Sequence, residues 1–111
     1  KHTGITSDLC FSFSSAPPEH NLRPSVSYLF RTAANNLGSH VLGILLSGMG
    51  SDGAEELLQI RQKGGCTIIQ DMESSFVYGM PGAAEMLNAG MFSLPPVKIA
   101  RFLQSISSRG Y

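Results

Sequence analysis

The sequence predicts an α/β fold: an open, mostly parallel, doubly wound sheet in three αβα layers, Rossmann-like, with part of an antiparallel hairpin beside it. Two observations carry this. Val41 to Leu46 and Cys66 to Gln70 are short apolar runs of strand length. Each precedes a segment fit for a helix, giving the order β-α-β-α-β up to a third strand at Met91 to Leu94. That order implies parallel pairing through right-handed crossovers.

Along the chain, Gly4 to Ser14 sets Leu9, Phe11 and Phe13 against Asp8, Cys10 and Ser12. This is the period of a half-buried strand and predicts half of a hairpin. Ser14 to Pro24 holds three prolines and reads as a turn region. Val26, Leu29, Phe30, Ala33, Ala34 and Leu37 then form one helical stripe that stops at Gly38. The continuous apolar run Val41 to Leu46 has the composition of a central strand covered on both faces. A glycine loop, Ser47 to Gly53, leads into a helix over Ala54 to Lys63, which carries Ala54, Leu57 and Leu58 at helical spacing and is stopped by Gly64-Gly65. After the second strand, Pro81 opens a helix that Gly90 closes. Ile99, Phe102, Leu103 and Ile106 mark one face of a last helix.

The composition fits one modest domain. The 111 residues are 42% hydrophobic, enough to bury a core, so disorder is not expected. With 8 basic and 8 acidic side chains there is no general pull toward nucleic acid or anionic membrane. No apolar run approaches the ~20 residues that span a bilayer, so no membrane insertion is expected. Cys10 and Cys66 lie far apart without metal-ligand spacing; they are read as reduced and intracellular, and zinc is not expected. The chain opens at Lys1 without an initiator Met or a signal peptide, and is read as a piece of something longer.

The loop Ser47 to Gly53 is the place to look for chemistry, because open α/β sheets gather ligands at the carboxyl ends of their strands. Two functional readings compete. Gly48, Gly50 and Gly53 match G-x-G-x-x-G between strand and helix, with Asp71 placed for a ribose, as in a dinucleotide-binding module. Against this, a carboxylate at Asp52 competes with a pyrophosphate for the helix N-terminus. In the second reading Asp52 is the N-cap of the following helix, with Glu55 completing a capping box. Held ionised there, it is either an ordinary cap or the acid that orients a catalytic histidine.

Three blocks favour the second reading, with the dinucleotide-binding module kept as the alternative: Arg23-Pro24-Ser25-Val26, then Leu46-Ser47-Gly48-Met49-Gly50-Ser51-Asp52-Gly53, then Gln70-Asp71-Met72-Glu73-Ser74-Ser75-Phe76-Val77-Tyr78-Gly79-Met80-Pro81. In this order and spacing the chain resembles the carboxyl-terminal part of the catalytic domain of the chemotaxis protein-glutamate methylesterases. The resemblance implies that residues 1–111 are the carboxyl half of that doubly wound sheet. It implies a Ser-His-Asp triad that hydrolyses glutamate methyl esters, and deamidates some glutamines, on the cytoplasmic helices of methyl-accepting chemoreceptors. Its acid maps onto Asp52. The serine, the histidine and a phosphorylatable receiver domain in cis belong to stretches outside this chain, so the fragment alone is expected to be inactive.

The same resemblance implies a cytoplasmic enzyme using no cofactor and no metal. Met49, Gly48, Gly50, Ser25 and Met80 are expected to line the site. The Met49 amide is placed to polarise the ester carbonyl, and a buried gap-filling Met is the alternative. Ser27 stands where the family pattern implies an acidic residue. Ser47 lacks an adjacent base and a nucleophile elbow and is read as structural, and His2, His20 and His40 are read as surface or structural histidines. A half-sheet with a bare edge is also expected to self-associate when isolated.

Overall fold

A computed structural model of the chain describes residues 1–108. The hairpin comes first: β1 (His2–Ile5) pairs antiparallel with β2 (Phe11–Ser14), in the register His2 opposite Ser14 and Ile5 opposite Phe11. Helix α1 (Val26–Leu37) follows the proline-rich turn, which contains a cis Arg23-Pro24 peptide, and ends at Gly38. It lies along β1, where the Ile5 amide donates to Thr32 Oγ1 at 3.0 Å and Asn36 Nδ2 donates to the Ile5 carbonyl at 2.8 Å. Then come β3 (Leu42–Leu45), α2 (Ala54–Gln62), β4 (Cys66–Gln70), α3 (Met80–Met86), β5 (Phe92–Leu94) and α4 (Pro96–Ser108).

The sheet order is β3-β4-β5, all parallel, as the alternation of strands and helices requires. Alternate strand residues face opposite sides, and Ile68 and Ile69 of β4 are both buried, so both faces of this strand are covered. The core joins Ala34 of α1, Leu45 of β3, Ala54, Leu57 and Ile60 of α2, Ile69 of β4, and Ala84 and Ala89 around α3. Gly43 has no side chain because Leu57 and Ile60 already fill the space above it.

Four expectations need correction. The central strand is β4; among the described residues β3 has no partner on its outer side. Leu9, Phe11 and Phe13 are the exposed face of the hairpin, Phe11 and Phe13 at 71% and 68%, because α1 covers β1 and nothing in the described residues covers β2. Helix α3 ends at Met86, and the chain turns at Asn88, which has φ +56°, rather than at Gly90. Gly90 instead lets the chain pass close to Ile69, whose side chain lies 3.0 Å from where a Cβ would sit. Finally, α2 begins after Gly53 at φ +87°, with no side-chain cap.

Candidate active site

The loop after β3 and the segment after β4 form one laced rim at the carboxyl ends of the strands. Gln70, the last residue of β4, accepts from the Ser47 amide at 2.8 Å and donates to the Ser74 carbonyl at 2.9 Å. Gly48 donates to the Val77 carbonyl, and its own carbonyl accepts from the Gly79 and Met80 amides, each at 2.9 Å. Gly79 must be glycine for this: a Cβ would sit 2.5 Å from the Gly48 oxygen. Gly48 in turn lies under Met80, whose Cε would be 3.0 Å from a Cβ.

Asp52 sits where this loop turns into α2, but its side chain points across to the N-terminus of α1. It is only 4% exposed. Its Oδ1 accepts from Ser25 Oγ at 2.7 Å, from Ser27 Oγ at 2.8 Å and from the Ser27 amide at 3.2 Å. Its Oδ2 accepts from the Val26 amide at 2.7 Å. The expected capping box with Glu55 is therefore absent. The first amides of α1, which have no partner within their own helix, take the carboxylate instead, and the positive end of the helix favours its charge. Burial pushes the Asp52 carboxyl up, while the hydroxyls of Ser25 and Ser27 and the amides of Val26 and Ser27 pull it down. The donors prevail, and the group is held below its ordinary value, ionised.

Gly53 makes this crossing possible. It turns the chain in the left-handed region, and a Cβ there would sit 2.6 Å from Val26 Cγ1. The wall beside Asp52 is pinned as well. His2 is fully buried, stacked on Tyr28 with 4.6 Å between ring centroids. Its Nδ1 accepts from the Ser25 amide at 3.2 Å and its Nε2 donates to the Pro17 carbonyl at 2.9 Å. The guanidinium of Arg31 grips Glu19 with both nitrogens, at 3.0 and 2.5 Å, and lies 3.8 Å from Glu56. His2 is thus a structural histidine, as expected, while His20 and His40 are exposed.

Of the site residues predicted from sequence, the structure joins Ser25 directly to Asp52 and places Gly48, Gly50, Met49 and Met80 along the same rim. Among the described residues Met49 is 80% exposed, at the crest of the loop. The dinucleotide reading loses its basis. Gly48 and Gly53 serve close packing, Glu55 and Glu56 occupy the first turn of α2, and Asp71 accepts from the amide and hydroxyl of Ser74. Tyr78 is no base either: burial and its bond to Glu85 push its hydroxyl up to about 12. Among the described residues no cluster of His, Cys, Asp and Glu could hold a metal ion.

Sequence reasoning missed Ser27, His2, Gln70 and Gly79 as parts of the site. Pro-Ser-Val before an apolar stripe does signal a helix start, but nothing in it says that a distant aspartate completes the cap.

A family model described as CheB methylesterase matches residues 1–103. The chain is 88% identical over 108 residues to protein-glutamate methylesterase/protein-glutamine glutaminase 2 of Methanospirillum hungatei, covering 97% of this chain and 31% of that protein. It is 47% identical over 107 residues to protein-glutamate methylesterase/protein-glutamine glutaminase 4 of Geobacter metallireducens, covering 96% of this chain and 31% of that protein. The chain therefore spans about a third of the length of these curated relatives. The crystal structure of the CheB methylesterase catalytic domain of Thermotoga maritima superposes with a TM-score of 0.89 at 28% identity, covering 95% of this chain and 57% of that one.

Proposed function

The chain belongs to the CheB methylesterase family, and on that premise we propose that it supplies the acid and one wall of a Ser-His-Asp esterase site. Asp52 accepts a hydrogen bond from the triad imidazole, fixes its tautomer and stabilises the imidazolium that forms. The histidine takes the proton of the serine, and the serine attacks the glutamate methyl ester. Methanol leaves with that proton, and water then releases the free glutamate. With glutamine the leaving group is ammonia. Both partners of Asp52, the serine and the histidine, come from outside residues 1–111.

The observation that carries this reading is a carboxylate buried at a strand-end rim and held ionised by four donors, with one oxygen engaged only once. An ordinary surface cap needs no such seat. Among the described residues the Met49 amide has no partner, and its exposed place on the crest suits it to polarise the ester carbonyl. Gly48, packed under Met80, and Gly50 flank it in the chain, and Ser25 holds Asp52.

The proposed substrates are methylated glutamates and glutamines on the cytoplasmic helices of chemoreceptors. The whole protein works in the cytoplasm, with a receiver domain in cis. No helix among the described residues is long and apolar enough to cross a membrane. The test is an assay of the full-length protein with methylated receptor, with a parallel calorimetric titration of NAD. Methanol release without dinucleotide heat is expected. Dinucleotide binding without methanol release would overturn the proposal.

A further inference from the structure

We propose that Ser27 and Ser25 are positioning residues: they hold one oxygen of Asp52, so that the other, Oδ2, is the oxygen presented to the triad imidazole. The inference rests on the triad reading above. The direction of each hydroxyl proton is set by its neighbours. An amide N–H can only donate, and the Gly53 amide donates to Ser27 Oγ at 2.9 Å, so the Ser27 proton points to Asp52 Oδ1. Likewise the Ser27 amide donates to Ser25 Oγ at 3.1 Å, and the Ser25 proton points to the same oxygen.

Two hydroxyls and an amide thus converge on Oδ1, while among the described residues Oδ2 has the Val26 amide alone. A carboxylate offers about four acceptor directions, two on each oxygen. The acceptor direction without a hydrogen-bond partner among the described residues belongs to Oδ2. Both serines are buried, so water does not substitute for a deleted hydroxyl at the same geometry. Ser27 also closes a ring through the peptide that follows Asp52, which fixes the rotation of the carboxylate and the path of the loop together. The angle at which the imidazole is met is therefore set by α1.

The two hydroxyls also draw charge from the carboxylate. Without one of them Asp52 is a stronger acceptor, the imidazolium is better stabilised, and the histidine titrates at higher pH. A purely structural role would lower the amount of folded enzyme and leave that titration where it was.

The experiment is the pH dependence of kcat/KM for methanol release by the full-length protein, wild type against Ser27→Ala, Ser25→Ala and Ser27→Thr. Each alanine variant is expected to lower kcat about tenfold or more with KM nearly unchanged, as misorientation does. Its acidic limb is expected to move up by about half a pH unit. Ser27→Thr, which keeps the hydroxyl, restores the wild-type limb. If Ser27→Ala does not fold, Ser25→Ala decides alone. An unmoved limb, with losses that track the folded fraction, overturns the proposal. Failure of the triad reading is seen separately, as full activity in Asp52→Asn.

Discussion

At the scale of the residue, Asp52 shows why a buried charge needs its partners. An ionised carboxylate taken out of water without compensation costs several kcal/mol. Here four donors compensate, each charge-assisted bond being of the kind that contributes roughly 1.5–3 kcal/mol. Because the folded group lies below its ordinary value, its stabilisation is fully present above the unfolded pKa and is lost as the pH falls through the folded one. Glu19, held low by its hydrogen bonds to Arg31, adds in the same direction. The gap in urea midpoint between wild type and Asp52→Asn is therefore expected to be largest near neutrality and to narrow below about pH 4. A gap that widens on acidification would contradict this assignment. The sequence located Asp52 through the blocks around it, yet implied that it capped its own helix. The acceptor for α1 lies some 25 residues downstream, and no local pattern records such a tertiary cap.

At the scale of the element, the site is a clasp between two strand-end segments, closed by contacts too tight for a side chain. Gly79 has an ordinary φ of −76°, so alanine there meets no backbone penalty. Its cost comes wholly from the Cβ, 2.5 Å from the Gly48 oxygen and 2.9 Å from the Gly50 nitrogen. Gly79→Ala is expected to destabilise by about 1–3 kcal/mol, seen in thermal melts, and to lower activity by shifting the Met49 crest. An unchanged melting curve would show that the clasp is loose. Strands and helices were legible because their apolar periods are local: α1, α2 and β4 lie where the spacing puts them. The face of β2 was not. Alternation says that one side is apolar but not what covers it, and Phe11 and Phe13 are bare among the described residues.

At the scale of the whole molecule, the described residues carry a sheet with a bare edge at β3 and large exposed apolar side chains, among them Phe76 at 98%. Open edges and patches of this kind pair with other chains. Sedimentation of residues 1–111 alone is expected to show association that grows with concentration, and a monomer at every concentration would contradict it. The fold class was legible from the order of elements, whereas the proposal that a triad is divided between this chain and another stretch rests on resemblance. The central claim is that Asp52 serves a histidine from that other stretch. Its most direct test is methanol release from methylated receptor by the full-length protein carrying Asp52→Asn. With the imidazole held in the wrong tautomer, kcat should fall by about 10³–10⁴-fold while the protein stays folded. Turnover equal to wild type by a folded Asp52→Asn protein would contradict the account.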